Sequence, residues 1–205
     1  MPGPVGHLLG RDEELAQVAR FIESVPEGPS ALLFEGGAGI GKTTLWREAA
    51  DIARERGFTV LSTRPVESDT AFSYAALGDL FEDILDAALP DLPAPQRRAM
   101  EIALFRADTD GPPPDQYAIA MAGLGVLRSL AASAPVIVAV DDVHWIDPSS
   151  ARAIGFAIRR VRDEAVGILV TARTGLPIPP VLTRALSEVP LRRVTVGDPG
   201  VASSV

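Results

Sequence analysis

The chain has 205 residues, enough for one domain of generous size or one domain with a short appendage. It is 47% hydrophobic and 22% charged, as expected of a globular protein that can bury a core without staples. The absence of cysteine excludes disulfides and thiolate metal sites, and two histidines, His7 and His144, are too few for a histidine-rich metal cage. A formal charge of −8 disfavours sequence-independent DNA binding by this chain alone. Met1 to Leu15 holds no basic region followed by an apolar run, so no secretory signal is visible. The longest uncharged stretches, Gln116 to Leu127 and Ser129 to Val140, are too short to span a bilayer. The expectation is a cytoplasmic protein with no membrane segment.

In chain order, residues 11–24 read as a short helix with Leu15, Val18, Ala19 and Ile22 on one face. Ser30 to Glu35 is a short buried strand, followed by glycines and a helix from about Lys42 to Arg56 that Gly57 ends. Phe58 to Thr63 is a second strand. Ala71 to Ala88 reads as one helix, Gln96 to Phe105 as another, Asp108 to Pro114 as a loop with three prolines, and Gln116 to Ala132 as a helix. Pro135 to Asp141 is the strongest strand, apolar on both faces as central parallel strands are. Asp147-Pro148 starts a helix reaching about Val161, with aspartate as N-cap and proline at the first position. Val166 to Thr171 and Leu191 to Val196 read as further strands, and 197–205 as an irregular tail. Strands alternating with helices predict an α/β fold, a mainly parallel sheet with helices on both faces over residues 1–196.

Gly36-Gly37-Ala38-Gly39-Ile40-Gly41-Lys42-Thr43, continued by Thr44, matches the phosphate-loop pattern completely. Glycines let the backbone wrap an anion, successive N–H groups form a nest, and the following helix aims its positive end at the same place. Lys42 is expected to reach the β- and γ-phosphates of a nucleoside triphosphate, and the Thr43 hydroxyl to coordinate magnesium. Lys42 is also the sole lysine among 19 basic residues. A slot that admits only a narrow ammonium explains this; the alternative is a lysine that survived a compositional bias.

Such a site needs a second metal-side carboxylate at the end of a neighbouring apolar strand, and Asp141 stands there. Asp142 is placed to orient the water that attacks the γ-phosphate, and its short reach predicts slow hydrolysis. His144 is expected to be a satisfied structural histidine, with hydrogen bonding toward the phosphates as the alternative. Trp145 is expected to pack and Asp147 to cap its helix. Arg173, just beyond a strand end, either touches the γ-phosphate or is a solvated loop residue.

Four stretches together resemble the STAND group of P-loop ATPases, within the broader AAA-like class. They are Leu9-Gly10-Arg11-Asp12-Glu13-Glu14-Leu15, the phosphate loop, Val140-Asp141-Asp142-Val143-His144-Trp145-Ile146-Asp147, and Leu169-Val170-Thr171-Ala172-Arg173. The nearest likeness is to the N-terminal ATPase module of large ATP-binding LuxR-type transcription regulators. The resemblance implies ATP rather than GTP, and Leu9, Gly10 and Arg11 near the adenine. It further implies Arg173 as γ-phosphate sensor and a five-stranded P-loop NTPase sandwich with the Asp141 strand between two others. Such regulators continue into a helical lid, a winged helix, a repeat region and a DNA-binding helix-turn-helix, none of which fits after Val196. The expectation is therefore an ATP/ADP-binding module, either a fragment, a truncated product or a stand-alone unit. It would act through self-association or a protein partner and not by direct DNA contact.

Three functions compete at this level. The first is a slow ATPase switch. The second is a nucleotide-gated interaction module without meaningful hydrolysis. The third, resting only on the shared cradle, is a P-loop kinase of a small molecule.

Overall fold

A computed structural model describes residues 10–107 and 114–197. Leu9, the core of the proline loop (108–113) and the tail from 198 lie outside the described residues. Thirteen principal elements follow one another: α1 (Asp12–Ser24), β1 (Ser30–Gly36), α2 (Lys42–Glu55), β2 (Thr59–Thr63), α3 (Ala75–Phe81), α4 (Leu85–Ala88) and α5 (Ala94–Ala103), then α6 (Gln116–Ala131), β3 (Val136–Val140), α7 (Pro148–Ile158), β4 (Val166–Arg173), α8 (Pro180–Ser187) and β5 (Leu191–Thr195).

The five strands form one parallel sheet in the order β2-β3-β4-β1-β5. The strand before Asp141 thus lies between two others, as the resemblance implied. Because strand side chains alternate, each strand feeds two cores. Val136, Val138 and Val140 of β3 join Ile168 and Val170 of β4 and Leu33 of β1 in a core closed by α3, α5, α6, α7 and α8. Ile137 and Ala139, with Leu169, Leu32 and Phe34, face α1 and α2. Every residue of β3 is buried, which explains its unbroken apolar run. Helix α1 carries Asp12, Glu13 and Glu14 in its first turn, where they complement the helix dipole, and buries Val18, Phe21 and Ile22. The result is a three-layer α/β sandwich of P-loop NTPase type.

Three expectations need correction. Residues 71–88 are not one helix: a 3-10 turn (Glu67–Ala71) precedes α3, which ends at Phe81, and α4 begins at Leu85. The start is set from outside, since the Asp147 carboxylate accepts hydrogen bonds from the N–H groups of Tyr74 and Ala76. The stop coincides with Glu82 and Asp83, carboxylates at the negative end of a helix dipole. Helix α8 was not anticipated, although Pro180 at its first turn and buried Leu182, Ala185 and Leu186 carry a helical signature. Finally, β4 runs two residues beyond Thr171, so Arg173 is a strand residue in register with Gly36. Among the described residues no helix is long and apolar enough to cross a membrane.

Asp147 is the joint between two helices. It is 1% exposed and caps α7 through the N–H groups of Ser149 (3.1 Å) and Ser150 (2.9 Å) while holding the start of α3. The neighbouring Ser150 hydroxyl accepts from the Leu77 N–H at 2.9 Å. Hydrogen bonds to an ionised acceptor are the stronger kind, and removing this one strands four donors. Asp147→Ala is expected to lower unfolding free energy by about 3 kcal/mol in urea titration, whereas Asp147→Asn should lose less.

Candidate functional site

All five strands point their carboxyl ends to one edge of the sheet, where open α/β folds bind ligands. The phosphate-loop residues leave that edge between β1 and α2. Gly39 (φ +72°) and Gly41 (φ +97°) take left-handed backbone conformations, which glycine adopts without strain. A side chain on Gly36 would stand 2.8 Å from the carbonyl oxygen of Val196, the residue after β5, which packs against the loop's start. The Lys42 ammonium donates to the carbonyls of Gly36 (3.1 Å) and Gly37 (2.7 Å), folding back along the loop.

The loop is fixed from beneath by Arg11. Its guanidinium donates to Ile40 O at 2.8 Å and to Gly197 O at 2.7 Å, and pairs with Glu14 at 2.7 Å. Arg11 is buried, so these bonds tie α1, the loop and the end of β5 together. Gly10 stands directly before it, exposed, with φ +78°.

Opposite the loop, β3 ends at Asp141, whose carboxylate is buried and shared. Its Oδ2 accepts from the Thr43 hydroxyl at 2.9 Å and from Arg64 Nε at 3.2 Å, and its Oδ1 accepts from the Thr171 hydroxyl at 2.7 Å. Asp142 follows with φ +48°, and its N–H donates to the Thr171 hydroxyl oxygen at 2.8 Å. Ala38, Gly39, Ile40, Gly41, Lys42, Thr43 and Thr44 form one wall of a cleft of about 350 Å³, and Asp142, His144, Trp145 and Arg173 form the other. That volume is within the range of small-molecule sites.

Residues 38–44, Asp142 and Arg173 thus share one cleft, with Asp141 bonded to Thr43, while three expectations fare differently. Leu9 lies outside the described residues. Arg11 spends its hydrogen bonds on the loop's underside. His144 is not a satisfied structural histidine: its Nδ1 is buried without a partner among the described residues. Burial pushes the imidazole below its ordinary pKa of 6.5; Asp142 opposes this, Lys42 and Arg173 reinforce it, and Asp141 opposes it again. Two functional neighbours escaped the sequence reading. Thr171 is the one hydroxyl residue within the buried strand Val166 to Ala172, a signal that could have found it. Arg64 follows β2 at the ligand edge, where its position alone marks it.

The site's fit to a magnesium–polyphosphate follows from its donors. Gly37 and Gly39 have no heavy atom within 4 Å of where a side chain would begin, so the loop is uncrowded at both positions. The Thr43 hydroxyl and the Asp141 carboxylate are hard oxygen groups 2.9 Å apart, the kind magnesium takes. Among the described residues no cluster of three or more His, Cys, Asp or Glu could hold a metal. Magnesium bound through one or two protein oxygens plus phosphates and waters needs none.

Thr171→Val keeps the shape and removes the hydroxyl, leaving Asp141 Oδ1 and the Asp142 N–H unpaired. A loss of about 3 kcal/mol in unfolding free energy is expected, measured by urea titration. For His144, the proton count sets the sign. The unfolded chain binds the proton near pH 6.5 and the folded chain only below it, so this residue costs stability as pH falls through that window. A histidine NMR titration should give a midpoint below 6.5, and His144→Asn should flatten the corresponding loss of stability.

The chain is similar to known proteins at the level of domain and fold. Residues 7–170 match the model of the AAA ATPase domain. The "Uncharacterized protein R02095" of Rhizobium meliloti (strain 1021) is 30% identical over 193 residues, covering 82% of this chain and 19% of that protein. Among solved structures, the Aeropyrum pernix ORC2 protein, in ADPNP–ADP complexes, aligns with a TM-score of 0.53 at 16% identity, over 94% of this chain and 48% of its own. AMPPCP-bound DnaA from Aquifex aeolicus aligns with a TM-score of 0.47 at 14% identity, over 92% of this chain and 46% of its own. The chain thus spans about a fifth of the first relative and about half of these structures. With the greater part of its length matched by the domain model and its sheet folded accordingly, the chain belongs to the AAA ATPase domain family.

Proposed function

We propose that the chain is an ATP-binding switch module that hydrolyses its nucleotide slowly, and that it is the nucleotide-binding part of a STAND-type transcription regulator resembling the LuxR-type proteins. The observation that carries the reading is the convergence of Lys42, Thr43, Asp142 and Arg173 on one cleft, with Asp141 bonded to Thr43 behind it. Residues 1–196 are read as one ATPase unit, acting in the cytoplasm with ATP and ADP as ligands. Self-association or a protein partner carries the signal onward, and a chain of net charge −8 makes no direct DNA contact by itself.

In this reading the N–H groups of residues 36–44 and the Lys42 ammonium hold the β- and γ-phosphates. Thr43 and Asp141 face the magnesium, which when bound supplies positive charge to the β- and γ-phosphate oxygens. Asp142 accepts a hydrogen bond from the attacking water and orients it. Arg173 adds a second cation at the γ-phosphate, opposite Lys42. Gly10 and Arg11 are read, from the resemblance, as belonging to the adenine side, and Arg11 also braces the loop through Ile40. Phosphoryl transfer asks for positioning and charge more than for a strong base, so a single short carboxylate supports turnover at a low rate.

A second reading, an interaction module gated by nucleotide without hydrolysis, draws support from Asp142 itself. Its carboxylate is one methylene shorter than glutamate's and is carried on a left-handed backbone, φ +48°.

Calorimetry with Mg·ATP and a phosphate-release assay separate these readings. Lys42→Ala is expected to lower ATP affinity by about a hundredfold and to abolish release. Asp142→Asn is expected to keep ATP affinity and to slow release by about a hundredfold. Native turnover in both variants would remove the ATPase reading. Tight binding with no release from the native chain would favour the second.

A further inference from the structure

Arg64 has no role in the reading above, yet its guanidinium touches the carboxylate assigned to the metal. Strand β2 runs parallel to β3 with Thr63 opposite Val140, and the Asp141 N–H donates to the Thr63 carbonyl at 3.0 Å. The next residue on each chain, Arg64 and Asp141, therefore emerge side by side at the ligand edge. Pro65 follows Arg64 and biases it toward an extended backbone, which keeps it in line with the strand.

The contact is specific to one oxygen. Asp141 Oδ1 is taken by Thr171, while Oδ2 accepts from both Thr43 and Arg64. A carboxylate oxygen offers about two lone pairs, so these donors fill it. The two donors differ in what a metal does to them. Thr43 can give its hydrogen to Asp141 and still turn its oxygen lone pairs to a cation. Arg64 is itself a cation, and a metal-bound water reaching Oδ2 must take its place. Arg64 is also weakly held: its side chain is 51% exposed while that of Asp141 is 2% exposed, and this is its one side-chain hydrogen bond among the described residues. A half-solvated pair of this kind is displaced at small cost.

We propose that Arg64 competes with magnesium for the Asp141 carboxylate and thereby sets how strongly nucleotide binding depends on the metal. The inference rests on the assignment of Thr43 and Asp141 to the metal side of an ATP site. Without metal, Arg64 offsets the Asp141 charge and eases its repulsion of a polyphosphate. With metal, the same guanidinium opposes the incoming divalent charge. Removing it should therefore weaken metal-free binding and strengthen metal-supported binding, two changes that multiply in one ratio.

The test measures ADP and ATP dissociation constants by calorimetry, in excess EDTA and in saturating magnesium, for the native chain, Arg64→Gln, Arg64→Ala and Arg64→Lys. Folding of each variant is checked by thermal melting. The ratio of the EDTA to the magnesium constant is expected to rise about fivefold or more in the Gln and Ala variants, the scale of a partly exposed ion pair. In the Lys variant, which keeps the charge, it should stay within about twofold of native. An unchanged ratio in whichever charge-removing variant folds, while the native chain responds to magnesium, overturns the inference and leaves the ATP site standing. A native chain that binds nucleotide equally with and without magnesium overturns the metal assignment and this inference with it. No binding under either condition overturns the nucleotide reading as a whole.

Discussion

A buried carboxylate must be compensated, and the ligand edge of this protein is organised around compensating Asp141. Its partners come from three elements: Thr43 from the first turn of α2, Thr171 from β4 and Arg64 from the end of β2. A buried carboxylate with 1% exposure needs its oxygens satisfied, and the ladders of β2 and β4 with β3 bring these partners to it. Parallel topology makes this possible. All strands end at the same edge, and the strand order puts β3 directly between the two strands that supply partners.

Two further clamps keep that edge rigid. Arg11 joins α1 and the end of β5 to the underside of the phosphate loop. Asp147 joins the starts of α3 and α7, and so holds the segment after β2 against the segment after β3. Each clamp is a buried ionised side chain that bonds to backbone groups. Such contacts depend on geometry more than on the partner's side chain, which suits them to hold loops in place. The cleft is therefore walled by residues whose backbones are fixed at both ends, as a phosphate-binding nest requires.

The local signals were legible in the sequence, and the non-local ones were not. Strand β3 announced itself because burial on both faces leaves no polar residue in it, and the phosphate loop because few sequences combine those glycines with a lysine and a threonine. The break between α3 and α4 was hidden because the apolar stripe of Leu77, Leu80, Phe81, Ile84 and Leu85 continues across it. The helix stops where Glu82 and Asp83 stand, and what holds its start is a carboxylate 71 residues away from Ala76. The bonds of Arg11 to Ile40 and Gly197 were hidden because its position in the motif says nothing of the carbonyls it meets. His144 read as structural because sequence cannot show that its Nδ1 lacks a partner. Thr171 was passed over because a threonine within a strand is ordinary until its hydroxyl is seen between two aspartates.

The same hydrogen bonds form an unbroken line from the loop to the far wall of the cleft. Thr43 bonds to Asp141, Asp141 to Thr171, and Thr171 to the backbone of Asp142, with Arg173 two residues further along the Thr171 strand. Polar groups linked in this way polarise one another. The line ends at the Asp142 N–H, on a backbone in a left-handed conformation. Arg64 joins this line at Asp141 Oδ2. If Arg64 competes with a metal as proposed, it does so one hydrogen bond away from Thr43 and two away from the Asp142 N–H.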